Sequence, residues 1–121
     1  MRKKILLVDD SKTILSSLGN FLTQADYEVF STTNGREAIE IAKNRHPHII
    51  ILDVFMPDMG GEEVGASLSR DPSTNKIPVI YLTGMLSKEE EASLRDSGRH
   101  YMAKPIDGTE LIEKIEEILS G

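Results

Sequence analysis

The chain has no cysteine. That excludes a disulfide framework, a thiolate metal site and a cysteine nucleophile, and it suits a reducing compartment. A long apolar run is missing too. The N-terminal stretch MRKKILLVDD carries basic residues and a short apolar segment, but Asp9 and Asp10 end that segment far too early for a signal sequence or a membrane span. No membrane insertion is expected, and the chain is expected in the cytoplasm. Positive charge is scarce as well, with 14 Lys and Arg against 20 Asp and Glu and a net charge of −6. A broad nucleic-acid footprint needs a face rich in lysine and arginine, so no direct nucleic-acid binding is expected. Linkers, repeats and low-complexity tracts are absent. Pro72 to Lys76 reads as a surface loop, and residues 1–121 read as one domain. A domain of this size buries roughly two-thirds of the surface its unfolded chain exposes, enough to fold without a staple.

What is present is an alternation. Apolar, β-branched runs occur at Ile5 to Val8, Val29 to Thr32, Ile49 to Leu52, Val79 to Leu82 and, more weakly, Tyr101 to Ala103. Segments of helical period lie between and after them. Leu15, Leu18 and Leu22 mark one face of the first helix, with Ile14 and Phe21 adding to it. The second opens at Asn34-Gly35-Arg36-Glu37, an N-cap followed three residues later by Glu, and closes at Arg45-His46-Pro47. The third, around Glu62 to Arg70, has only Val64 and Leu68 on its apolar side and is interrupted by Gly65. Ser87-Lys88-Glu89-Glu90 and Asp107-Gly108-Thr109-Glu110 repeat the start signal for a fourth and a fifth helix, and Gly98 stops the fourth.

Short loops between alternating strands and helices imply an α/β fold, a doubly wound, five-stranded parallel sheet with helices on both faces. Such sheets commonly have the strand order 2-1-3-4-5, with the ligand crevice at the carboxyl ends of strands 1 and 3. That rule maps the chemistry. Strand 1 ends in Asp9-Asp10, strand 3 in Asp53, strand 4 in Thr83-Gly84 and strand 5 in Lys104-Pro105. Each residue alone has a structural explanation: Asp10 or Ser11 as a helix cap, Asp53 as a turn residue, Thr83 as a β-former, Lys104 as a solvated cation. Together they pose a problem. Two like charges about 4 Å apart cost roughly 4 kcal/mol at an effective dielectric near 20, so three converging carboxylates need a positive partner. Oxygen ligands without Cys or His point to a hard cation such as Mg²⁺, which tends to bind alongside phosphate oxygens. Lys104 and Thr83 offer a point charge and a hydroxyl donor to such oxygens.

The segments ILLVDDS, IILDVFMPDMGG, VIYLTG and YMAKP resemble, in order and near spacing, the CheY-like receiver domains of two-component response regulators. The similarity covers essentially the whole chain and implies the CheY-like, flavodoxin-like form of the fold. It implies that Asp53 accepts a phosphoryl group from a phosphohistidine of a sensor histidine kinase or a histidine phosphotransfer domain. It further implies that Asp9, Asp10, Asp53 and the backbone carbonyl of Phe55 hold Mg²⁺, that Lys104 contacts the phosphoryl oxygens, and that the Lys104–Pro105 bond is cis. Thr83 and Tyr101 would form the switch, changing the face made by the fourth helix, fifth strand and fifth helix for a downstream protein. Phe55 and Met85, two residues beyond Asp53 and Thr83, would border the path of water to the phosphorus and set the rate of hydrolysis. The chain would act as a signalling phosphoacceptor that promotes only its own phosphorylation and dephosphorylation, not as an enzyme.

Two departures stand out. Gly60 occupies a position where the family usually has an acid or Asn, which weakens the start of the third helix. The segment between Gly98 and Tyr101 is one residue shorter than is common. Three rival readings remain. A receiver-like module that only binds partners would typically have lost one of these residues. A haloacid-dehalogenase-type phosphohydrolase carries its nucleophile on the first strand in a D-x-D pattern, and a flavin module wants a Ser/Thr/Gly phosphate loop there, where this chain has an acid pair. His46 and His48 flank Pro47 and read as solvated side chains.

Overall fold

The computed structural model describes residues 2–84, 89 and 100–121. Its strands are β1 (Lys4–Val8), β2 (Glu28–Thr32), β3 (Ile49–Asp53), β4 (Val79–Thr83) and β5 (His100–Ala103). Between them run α1 (Lys12–Gln24), α2 (Gly35–Arg45) and α3 (Gly61–Arg70), and a C-terminal helix spans Gly108–Ser120. The five strands form one sheet in the order β2-β1-β3-β4-β5, and every pairing is parallel. The expected start of a fourth helix at Ser87 to Glu90, and its stop at Gly98, lie outside the described residues.

Strand periodicity divides the core into two layers. Ile5 and Leu7 of β1, Ile49 and Ile51 of β3, and Ile80 and Leu82 of β4 meet Leu18 and Leu22 of α1 and Leu111 and Ile115 of the C-terminal helix. The alternate residues, Leu6, Val8, Ile50, Leu52 and Tyr81, meet Ala38 and Ala42 of α2 and Val64 and Leu68 of α3. Every residue of β3 is buried. Burying an aliphatic side chain of this size contributes about 1.5–3 kcal/mol, so the sheet is clamped from both sides and its strand ends are rigid.

The helix starts follow the sequence. Ser11 Oγ accepts from Ile14 N at 3.2 Å, Asn34 Oδ1 from Glu37 N at 3.0 Å, and Asp107 Oδ1 from Thr109 N at 2.8 Å. Gly60 caps α3 with no side-chain hydrogen bond, the weak start that a residue without a side chain implies. His46 ends α2 in the left-handed region at φ 48°.

Three expectations are corrected. Phe21 does not join the face that Leu18 and Leu22 bury. It is 41% exposed, and its ring lies over Gly108, where a Cβ would come within 2.7 Å of it. The Pro72–Lys76 segment is not wholly superficial, because Thr74 is buried and donates to Leu68 O at 2.8 Å, tying the loop to the end of α3. His48 is not merely solvated: its Nδ1 accepts from Lys4 N at 2.9 Å.

Candidate functional site

The carboxyl ends of β1 and β3 bring Asp9 and Asp53 together, and the loop after β1 adds Asp10. Carboxylate oxygens of the three lie within 4.8 Å of one another. Asp9 and Asp53 are buried, whereas Asp10 is exposed. Asp9 Oδ1 accepts from Ser11 N at 2.9 Å, which fixes its rotamer. Its Oδ2 lies 2.9 Å from Lys104 Nζ, yet it has no well-directed hydrogen bond. The contact is an off-axis ion pair, and a buried carboxylate oxygen so placed has an acceptor direction left over. Asp53 Oδ1 lies 3.3 Å from the same ammonium and accepts from Phe55 N at 3.4 Å. This oxygen-only donor set, with one orphaned buried oxygen and one exposed carboxylate, fits a hard divalent cation that keeps some of its waters.

The electrostatics follow from that crowding. Burial lifts the Asp53 carboxyl above its ordinary pKa, and the Asp9 charge lifts it further; Lys104 and the Phe55 amide oppose both without cancelling them. Burial by itself would lower the Lys104 ammonium, but Asp9 and Asp53 outweigh burial and hold its pKa above the usual lysine value. Lys104 is therefore charged throughout the physiological range, while ionising Asp53 costs more than ionising a free carboxyl.

The backbone locks the strand end that carries Asp53. Val54 N donates to Leu82 O at 2.9 Å, and Gly61 N to Val54 O at 2.9 Å. A Cβ at residue 61 would run into the Asp53 carbonyl, so only glycine lets α3 begin this close beneath the site. Lys104 N donates to Thr83 O at 2.7 Å, carrying the β4–β5 ladder past the last strand residue, and the Lys104–Pro105 bond is cis. Thr83 ends β4 and is buried. Phe55, in contrast, is 73% exposed in the loop directly after Asp53. Tyr101 lies against Tyr81, ring centroids 5.1 Å apart and planes at 25°, and its hydroxyl donates to Glu62 Oε1 at 3.0 Å. Met85 lies outside the described residues. Sequence reasoning missed Glu62, Gly65 and Tyr81. The one signal available was a glycine in the middle of a helix, where it costs roughly 1 kcal/mol against alanine.

A family model, the response regulator receiver domain, matches residues 5–116. The chain belongs to this family. The protein PilH of Pseudomonas aeruginosa is 31% identical over 122 residues, covering 98% of each chain. The polar-differentiation response regulator DivK of Brucella ovis is 32% identical over 120 residues, again covering 98% of each. Among solved structures, a response regulator from Desulfuromonas acetoxidans superposes with a TM-score of 0.86 at 34% identity, over 98% of this chain and 97% of that one. The protein is thus a receiver domain with a phosphoacceptor role in signalling, outside the catalytic enzyme families. The phosphohydrolase, flavin and binding-only readings find no support. Receiver domains bind Mg²⁺ at an acidic cluster, and among the described residues Asp9, Asp10 and Asp53 form such a cluster. Receiver domains also work with histidine kinases or phosphotransfer proteins and with downstream targets. Among the described residues, no helix is long and apolar enough to cross a membrane.

Proposed function

We propose that Asp53 is the phosphoacceptor and that the chain, as one unit over residues 1–121, catalyses only its own phosphorylation and dephosphorylation. The observation that carries this reading is the convergence of Asp9, Asp53 and Lys104 at neighbouring strand ends, with Lys104 Nζ 2.9 Å from one carboxylate and 3.3 Å from the other. An oxygen of Asp53 attacks the phosphorus of a phosphohistidine. The P–N bond breaks, its electron pair goes to the ring nitrogen, and that nitrogen takes up a proton. A Mg²⁺ ion held by Asp9, Asp10, Asp53 and the Phe55 carbonyl would neutralise charge on the phosphoryl oxygens and on the carboxylates around them.

The rest is done by the protein's own groups. Lys104 leaves its shared position between Asp9 and Asp53 to pair with a phosphoryl oxygen, a small displacement for an ammonium already within reach of Asp53. The Thr83 hydroxyl donates to another phosphoryl oxygen, and Tyr101 follows it inward, changing the face to which the fifth strand and C-terminal helix contribute. Phosphoryl transfer has little covalent chemistry for a protein to perform, so rigid strand ends and fixed charges are the principal requirement. The donor is a sensor histidine kinase or phosphotransfer domain, the recipient of the signal is a protein docking on the switched face, and the compartment is the cytoplasm.

The test is incubation with acetyl phosphate and Mg²⁺ followed by intact mass. One phosphoryl adduct is expected on the parent and none on Asp53→Asn. An adduct on the variant equal to that on the parent refutes the assignment.

A further inference from the structure

The third helix contains two features that packing alone does not call for. Gly65 sits in its middle, where alanine would be about 1 kcal/mol better for the helix, and Glu62 in its first turn reaches a side chain on β5. Both face the same pair of tyrosines. A Cβ on residue 65 would run into the Tyr81 hydroxyl and come within 3.0 Å of Tyr81 Cζ. One turn earlier, Glu62 Oε1 accepts from the Tyr101 hydroxyl at 3.0 Å. Tyr81 and Tyr101 are register partners across β4 and β5, with rings stacked at 5.1 Å. Residues 62 and 65 lie three apart on one helix face, as a two-point grip on adjacent strands requires.

We infer that Glu62 and Gly65 form a clamp on α3 that holds half-buried Tyr101 stacked on Tyr81, in the arrangement that a phosphoryl group at Asp53 favours, making α3 a working part of the switch. The inference rests on the phosphoacceptor reading of Asp53 and adds a residue to it. Tyr81 stands two residues before Thr83 on β4, so their side chains share a face of the sheet. A phosphoryl group that draws Thr83 toward Asp53 favours packing of Tyr101 against Tyr81 behind it, and the Glu62 bond, already made without that group, favours the same packing. Two interactions that stabilise one arrangement reinforce each other, and the reinforcement is reciprocal. Removing the Glu62 acceptor must therefore weaken the binding of a phosphoryl mimic at Asp53, although Glu62 belongs to neither the carboxylate cluster nor the Lys104 ion pairs.

The experiment is a beryllofluoride titration at saturating Mg²⁺, read from backbone amide shifts in the loop after Asp53. Glu62→Ala is expected to weaken affinity about fivefold, at the low end of coupling between sites. Tyr101→Phe should match it, and the double variant should be no worse than either single one, since both remove the same bond. Glu62→Gln keeps an oxygen acceptor and should titrate like the parent, with Mg²⁺ affinity equal across the series. Parent-like affinity in Glu62→Ala, or additive losses in the double variant, overturns the clamp while leaving the phosphoacceptor reading standing. A parent that fails to bind beryllofluoride overturns both.

Discussion

Lys104 Nζ stands 2.9 Å from Asp9 Oδ2 and so bridges the ends of β5 and β1, two strands that are not neighbours in the sheet. The lysine spans the width of the crevice over β3 and β4. Its charge offsets two buried carboxylates of which neither, alone, has a sufficient partner.

Lys104→Ala should therefore lower stability without metal by about 2 kcal/mol, because breaking a buried pair strands a charge. Asp10→Ala removes an exposed carboxylate and should leave the metal-free fold as stable as the parent or slightly better. The Mg²⁺ titrations should reverse that ranking, with Asp10→Ala binding more weakly and Lys104→Ala losing phosphorylation more than Mg²⁺. Chemical denaturation and metal titration of both variants test the pair, and identical profiles would refute the division of roles.

Asp53→Asn should stabilise the metal-free chain by about 1 kcal/mol at neutral pH. Folding raises the Asp53 pKa, so its ionised form is a net burden on the folded state above that pKa, and the burden fades as pH falls and the group protonates. The gap between variant and parent should narrow on acidification and on adding Mg²⁺. Denaturation curves at several pH values measure it.

His48 carries the opposite sign. Burial lowers its pKa from 6.5, and Lys3 and Lys4 lower it further, while its Nδ1 serves as acceptor for Lys4 N. The unfolded chain binds the proton more tightly, so the contribution of His48 is intact above 6.5 and is lost as pH falls through the depressed folded value. The stability advantage of the parent over His48→Phe should shrink between pH 7.5 and pH 5.5, ~1 unit either side of the ordinary value. A constant difference would exclude the linkage.

Gly65→Ala should cost about 1–3 kcal/mol despite its better helix propensity, since the methyl enters the space of the Tyr81 hydroxyl. Combining it with Tyr81→Phe, which removes that oxygen, should recover most of the loss. Thermal unfolding of the two variants checks this, and no recovery would mean that the strain lies elsewhere.

Phosphoryl lifetime is the last outcome. Exposed Phe55 presents an apolar ring two residues from Asp53, where a polar side chain would orient an attacking water. Phe55→Asn combined with Met85→Glu should shorten the decay of phosphorylated protein in Mg²⁺. Equal or slower decay refutes water exclusion.

Strand positions and helix starts were legible because each rests on local chemistry. The apolar run Ile49 to Leu52 becomes the fully buried β3, and Asn34 caps α2 with the bond to Glu37 that its spacing implies. Asp9, Asp53 and Lys104 were legible as a group because strand order places strand ends together. What stayed hidden depends on contacts between distant side chains. Nothing near Phe21 announces that Gly108 will lie under its ring, and nothing near His48 announces a bond to the first residue of β1. Glu62 reads as an ordinary acid at a helix N-terminus until Tyr101 is seen beside it.

The bridge from Asp9 to Lys104 also sets when this protein becomes competent. Its two ends lie near opposite ends of the sequence, and contacts so far apart close only after the intervening chain has been ordered. During synthesis, a nascent chain that had emerged only through β4 would carry all three acids and no balancing ammonium. On the phosphoacceptor reading, such a chain would lack the ammonium that Lys104 places beside Asp53, and a kinase that met it on the ribosome would meet an incomplete site until β5 had docked.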